Sequence, residues 1–240
     1  MCGRYSLTTP LEAVTNLFGV AGRPNFPARY NIAPTQDVPV VRAADGDGDG
    51  DRRLDLLRWG LVPHWAKDLK VGSRMINARA ESAAKSPAFR TAFRQRRCLV
   101  PADGFYEWRK LPGGTKQPYR ITLKAGLFAF AGLWEAWHDP AGETVRTFTI
   151  LTTDANELLM PIHDRMPVIL APADYDAWLG AEDPAAVQAL LQPFPAAAMV
   201  ATPVSARVNN VRNDDAACIA PVAEPETAIG DAAPAQGELL

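Results

Sequence analysis

Apolar and polar positions along the chain fall mostly into short runs at strand spacing, with a few short stretches at helical spacing. Pro10 to Phe18 reads as a short amphipathic helix. Gly22 to Pro39, rich in Pro, Asn and Gly, reads as an irregular arm, and Val38–Arg42 and Arg53–Trp59 as strands around a loop. Glu81 to Arg94 has a helical pattern interrupted at Pro87. Strands then dominate: Arg97–Val100, Gly104–Trp108, Tyr119–Lys124, Leu127–Trp134 and Val145–Thr152, with Pro112-Gly113-Gly114 and Pro140-Ala141-Gly142 supplying turns. Asp154 to Met160 is predicted as a helix with Asp154 as N-cap, Met166–Leu170 as strand, and Ala173–Leu179 and Pro184–Leu191 as helices with Asp174 and Asp183 near their starts. Ala198–Val204 is a late strand. The pattern predicts an α+β fold: a single domain over 1–220, a curved or barrel-like, mostly antiparallel sheet with peripheral helices. Residues 221–240, with four acids and no bases, read as a disordered acidic tail.

The composition is that of a folded protein: 240 residues, 48% hydrophobic and 22% charged. That excludes disorder over most of the length, collagen-like repeats and a coiled coil. No apolar run approaches the ~18–20 residues of a membrane helix. Met1-Cys2-Gly3-Arg4-Tyr5 lacks the basic-then-apolar order of a secretion signal. Three distant cysteines, Cys2, Cys98 and Cys218, do not make a disulfide framework, so a cytoplasmic location is expected. A monomer is expected as well.

Charge changes the picture. The net charge of -2 hides 17 Lys and Arg against 5 Asp and Glu over residues 52–124, and 4 against 16 over residues 125–240. Either the two segments pair across one domain, or the first lines a basic groove for phosphates. Asp45-Gly46-Asp47-Gly48-Asp49-Gly50-Asp51 imitates the start of a calcium loop, but the twelfth position is Leu56 where a bidentate Glu is required. A flexible hairpin tip is expected there. His64, His138 and His163 have no metal-ligand spacing, and the chain has no Cys-x-x-Cys pair and no Gly-rich phosphate loop. No metal or cofactor is expected.

Cys2 follows the initiator methionine directly. Loss of Met1 would expose an α-amine and a thiol on neighbouring carbons. An α-amine titrates near ~7.7–8.0, so about a third is neutral at pH 7.5, against about 0.1% of a lysine. Such an amine condenses with an aldehyde, and the thiol then closes a stable thiazolidine ring. Gly3 lets the backbone approach a ligand, and Arg4 is a phosphate-reading residue type.

Seven segments are informative together. They are Met1–Tyr5, Tyr30–Pro34, Trp59–Trp65, Ile76–Glu81, Arg97–Trp108, Ile162–Pro167 and Val208–Asn210. In this order over residues 2–220 they resemble the SOS-response-associated peptidase (SRAP) family, whose members crosslink to abasic sites in single-stranded DNA. The resemblance implies Cys2 as nucleophile, its amine attacking the C1′ aldehyde of the opened sugar. It implies Asn77, Glu107 and His163 as the other active-site residues and Arg79 and Arg165 as phosphate contacts. Pro34 and Trp65 would line the DNA path. It also implies release of Met1 and lyase activity through the imine.

The residue types suit these roles, and each has a plainer reading. Glu107 is a fitting general acid and base if burial near Phe105, Tyr106 and Trp108 raises its pKa; otherwise it is a surface carboxylate. His163 could move a proton near neutral pH, or bond Asp164. Asn77 could orient the amine, or sit in a turn. Arg79 could clamp a phosphate, or pair with Glu81. Trp65 could stack on a base, or be core. Cys98 and Cys218 are expected in the core. Abasic DNA needs no base extrusion, so little sequence preference is expected. Two other functions fit parts of the pattern: an N-terminal-nucleophile cysteine peptidase or amidase, with His163 as base, and a non-catalytic single-strand binder.

Overall fold

The computed structural model describes residues 2–21, 25–44 and 52–224. Among these residues the strands are β1 (Tyr5–Leu7), β2 (Val20–Ala21), β3 (Arg29–Ile32), β4 (Asp37–Ala43), β5 (Arg52–Trp59), β6 (Asn77–Arg79) and β7 (Arg97–Ala102). They continue with β8 (Gly104–Lys110), β9 (Lys116–Leu123), β10 (Phe128–His138), β11 (Thr144–Asp154), β12 (Arg165–Pro167), β13 (Ile169–Leu170) and β14 (Met199–Pro203). The helices are short: α1 (Leu11–Phe18), α2 (Ala80–Ala83), α3 (Arg90–Gln95), α4 (Tyr175–Gly180) and α5 (Pro184–Ala189).

Five strands close into a barrel. β5, β4, β7, β10 and β11 pair antiparallel in that order. The ring is completed by a parallel contact of β11 with β5, Thr147 opposite Arg58 and Phe148 opposite Trp59. Closure leaves no edge on this part of the sheet. β7 is buried along its whole length, as a strand covered on both faces must be. A second sheet runs β14-β9-β8-β1-β3. The two sheets meet through aromatic rings: Tyr5 of β1 lies edge-on to Trp59 and Phe130, and Phe105 of β8 edge-on to Phe130. The expected α+β domain with a barrel-like, mostly antiparallel sheet is therefore found.

Cys98 and Cys218 are buried as expected, the first in the barrel core and the second in a small cluster with Tyr106, Val204 and Val208. Asp183 caps α5, accepting from the Ala185 N–H at 3.0 Å. Two expectations need correction. The irregular arm over 22–39 contains β3 and the start of β4. The helix expected over 154–160 is absent: Asp154 ends β11, and residues 156–163 form tight turns. Asn156, not Asp154, organises them, accepting from the Leu159 N–H at 3.1 Å and donating to the Phe194 carbonyl at 2.7 Å. Residues 221–224 pair with the body of the protein, Val222 N–H with Pro203 and Glu224 with Arg109. The rest of the expected acidic tail and the loop 45–51 lie outside the described residues.

Candidate active site at the amino terminus

The first strand is held from both sides and from above. Tyr5 pairs with Ile32 of β3 and Phe105 of β8. Asp103, at the corner between β7 and β8, gathers the strand: its carboxylate accepts from the Ser6 hydroxyl at 2.7 Å, from the hydroxyls of Thr8 and Thr9 and from both their N–H groups. Arg120 completes the pair at 3.0 Å. Burial alone would push the Asp103 carboxyl up, but the bonds from Ser6 and Thr8 and the charge of Arg120 prevail and hold it below the usual carboxylate range. Arg4 is tied down as firmly. Its guanidinium donates to Asn31 Oδ1 at 2.9 Å and to the carbonyls of Val208 at 2.8 Å and Asn209 at 3.4 Å, and it lies 6.0 Å from the Trp108 ring. The buried Asn31 amide donates in turn to Val208, Asn210 and Asn213.

Cys2 therefore sits at a fixed place. It is fully buried as the chain stands, with its thiol 3.9 Å from the Arg4 carbonyl. The Asn77 side chain donates to the Cys2 carbonyl at 2.8 Å. Asn77 opens β6, which pairs parallel with β11 (Asn77 opposite Ile150). The loop that delivers it folds back on itself where Gly60 and Gly72 touch. A Cβ on Gly60 would lie 2.5 Å from the Gly72 carbonyl oxygen, and Gly60 has φ +119°, so both positions require glycine.

Glu107, on β8, is 3% exposed. Burial raises its pKa to about 7, against the pull of the positive amino terminus. The Cys2 thiol is pushed well above its ordinary range, by burial first and then by the charge of Glu107. His163 is held below its ordinary value by burial and by the amino-terminal charge, with Asp164 opposing. Its Nδ1 accepts from the Arg165 N–H at 3.0 Å, which places the proton of the neutral ring on Nε2. Asp164 Oδ1 also lies 3.0 Å from Nδ1, a contact that becomes a bond only when Nδ1 carries a proton. Cys2, Glu107 and His163 thus all feel the amino-terminal charge. Four residues spread over 161 positions are brought together.

Glu107 and His163 open onto a cleft of about 610 Å³. Trp108, Lys110, Lys116, Met160, Pro161, Ile162 and Asp164 line the remainder. None of these was expected in the site from the sequence. The turn Pro112-Gly113-Gly114 was the available signal, because a hairpin there sets Lys110 opposite Lys116.

The other expected residues divide. Trp65 is 56% exposed rather than core, on a loop pinned by the Trp137 N–H to the Ala66 carbonyl at 2.7 Å. Pro34 is half-buried beside Thr35, whose φ is +72°. Arg79 is exposed and Glu81 pairs elsewhere, with Arg165, through two bonds of 2.8 and 3.0 Å. Arg165 also reaches Asp154 at 2.6 Å and the Thr152 carbonyl at 2.7 Å. Arg4 and Arg165 thus use their terminal guanidinium nitrogens within the fold. Among the described residues no cluster of His, Cys, Asp and Glu could hold a metal, and no helix is long and apolar enough to cross a membrane.

Fold and site together define a single-domain barrel protein with a buried cysteine at position 2, its carbonyl held by Asn77 and its thiol acted on by the charge of Glu107. Residues 1–211 match the family model described as SOS response associated peptidase (SRAP), and the chain belongs to that family. It is 45% identical over 220 residues to the abasic site processing protein YoqW of Bacillus subtilis, covering 89% of this chain and 96% of that one. It is 32% identical to the mouse abasic site processing protein HMCES, covering 92% of this chain and 76% of that one. A crystal structure of a protein from Bacteroides thetaiotaomicron superposes with a TM-score of 0.84 at 27% identity, over 92% of this chain and all of the other.

Proposed function

We propose that this protein processes abasic sites in single-stranded DNA by covalent capture through Cys2 once Met1 has been removed. The observation that supports the reading is the 2.8 Å bond from Asn77 to the Cys2 carbonyl, together with the amino-terminal charge that acts on both Glu107 and His163. The names of the relatives agree with the processing of abasic sites.

The chemistry balances with these groups. The Cys2 amine adds to the C1′ aldehyde of the open sugar to give a carbinolamine. Loss of water gives the imine. The thiol then adds to the imine carbon as a proton moves to nitrogen, closing the thiazolidine. With a pKa about 7, Glu107 is present in both forms at neutral pH. It donates to the departing hydroxyl and takes the thiol proton at ring closure. Neutral His163 has an Nε2–H for the sugar oxygen. Asn77 fixes the amine's position. Exposed Arg79 and Trp65 offer a phosphate contact and a stacking face. The same imine gives strand cleavage by elimination when ring closure is slow. A resting thiolate, as a peptidase would need, is disfavoured by burial of the thiol. We take the working form to be a cytoplasmic monomer.

The test is incubation with a single strand carrying one abasic site and with an intact control. The expected result is a denaturation-stable adduct with the lesion strand only, formed by protein whose mass lacks Met1. Cys2→Ala should abolish it, and Cys2→Ser should leave a reducible imine but a less stable ring. Equal crosslinking by Cys2→Ala would refute the assignment.

A further inference from the structure

The cleft beside Glu107 has a second part that none of the steps above uses. Lys110 and Lys116 face each other across the β8–β9 hairpin, at directly opposed register positions. Opposed like charges destabilise a hairpin, with Cβ atoms ~5 Å apart. Arg109, the next residue, projects to the other face of the strand, where Glu224 takes its charge at 3.1 Å. Neither lysine has an ion pair among the described residues. Both line the cleft. Lys110 also comes near enough to His163 for its charge to weigh on that ring.

The wall beside the lysines is apolar and fixed. Trp108 is locked by its N–H bond to Asn209 Oδ1 at 2.7 Å and by Arg4 against its ring. Met160 is 56% exposed, on the turns that Asn156 anchors to Phe194, with Ile162 next to it. An aromatic face, a thioether and two cations in one cleft match a nucleotide: a planar base with a phosphodiester. Asp164, the exposed carboxylate on the rim, stands at His163.

We propose that Lys110 and Lys116 clamp the phosphodiester adjoining the lesion, while Trp108, Met160 and Ile162 seat the base of that neighbouring nucleotide. The proposal rests on the abasic-DNA reading, and assigns to this cleft the flank of the lesion rather than the lesion itself. Two ammoniums on flexible stems reach the two non-bridging oxygens of one phosphate, and its negative charge between them offsets part of their mutual repulsion.

The test uses a single strand with a tetrahydrofuran in place of the abasic sugar, which has no aldehyde and cannot crosslink. Methylphosphonate, which removes one phosphate charge, is placed at each linkage near the tetrahydrofuran in turn, and affinity is measured against salt. One neutralised phosphate on a single strand contributes a salt slope of about 0.7, equivalent to roughly fivefold in affinity at 0.1 M salt. The expected result is that one linkage flanking the tetrahydrofuran shows this loss with the parent. It should show none with Lys110→Ala/Lys116→Ala, which should itself bind about fivefold more weakly. The Lys110→Arg/Lys116→Arg pair should restore both, and the alanine pair should melt no lower than the parent, since it relieves the repulsion between the lysines. A lysine double variant that keeps the parent's affinity and salt slope, or that still responds to every methylphosphonate as the parent does, overturns the clamp. Crosslinking of an aldehyde-bearing strand is scored separately. Its absence in the parent defeats covalent capture and leaves the clamp measurement standing.

Discussion

Glu107 should weaken the fold at the pH where it works, and the size of the effect follows from its burial. Its pKa rises from 4.5 to about 7 because the carboxylate form is buried. The native state therefore binds a proton more tightly than the unfolded chain does. The stability this confers is complete below the unfolded pKa and is lost as pH rises through the folded one. A tenfold gain in proton affinity is worth ~1.4 kcal/mol, so the total loss between pH 4.5 and pH 8 is roughly 3 kcal/mol. Glu107→Gln keeps the shape and an acceptor oxygen but cannot ionise. The assay is urea unfolding at pH 5, 6, 7 and 8. At pH 5, already above the unfolded pKa, Glu107→Gln should be more stable by about 0.8 kcal/mol. By pH 8 Glu107→Gln should be more stable by roughly 3 kcal/mol, about 1 M in urea midpoint for a chain of this length. The same variant should lose most of its crosslinking rate, together with the inflection near pH 7. Unfolding midpoints that stay parallel across this range would refute the burial argument.

Asp103→Ala removes the acceptor of five bonds and leaves Arg120 without its partner, so a loss of about 3–5 kcal/mol is expected in chemical denaturation. Because the native Asp103 pKa is depressed, its contribution is present above the usual carboxylate pKa and disappears as pH falls through the native value; the deficit of an Asp103→Asn variant should narrow in acid. Trp65→Ala should leave the melting temperature within the effect of about 0.5 kcal/mol, since the ring is mostly exposed, while costing about 1–3 kcal/mol in affinity for single-stranded DNA measured by anisotropy. Gly60→Ala should force the loop before Asn77 apart and lower the melting temperature; unchanged stability would mean that the contact with Gly72 yields freely.

The barrel strands were legible in the sequence because each carries its own pattern: β7 is apolar after Arg97, β10 is apolar from Phe128 to Trp134, and β11 is rich in Thr, Val and Ile. β3 was hidden because its partners are remote. Asp214 accepts from the N–H groups of Tyr30 and Asn31, 184 and 183 residues away, and a Pro-, Asn- and Gly-rich stretch gives no local sign of that. The missing helix at 154–160 fails for a local reason: Pro161 and the Asn156 side chain favour turns over continued helix. At the site, no periodicity links Cys2, Asn77, Glu107 and His163; the ordered family blocks did. What the blocks could not convey is whether an arginine is available. Arg79 is exposed, whereas Arg165 is enclosed by Glu81, Asp154 and Thr152, and only the fold distinguishes them.

The bond between Arg4 and Val208 joins residues 204 positions apart, and that between Asn31 and Asn213 spans 182. During translation the leading end of the polypeptide leaves the ribosome long before its clasp has been made. At ~5–20 residues per second the wait is roughly 10–40 s. For that interval Cys2 is part of a loose thread, open to enzymes that trim nascent chains. Any trimming that depends on Asn77 and Glu107 around it must wait until the last fifth of the protein has been synthesised and docked.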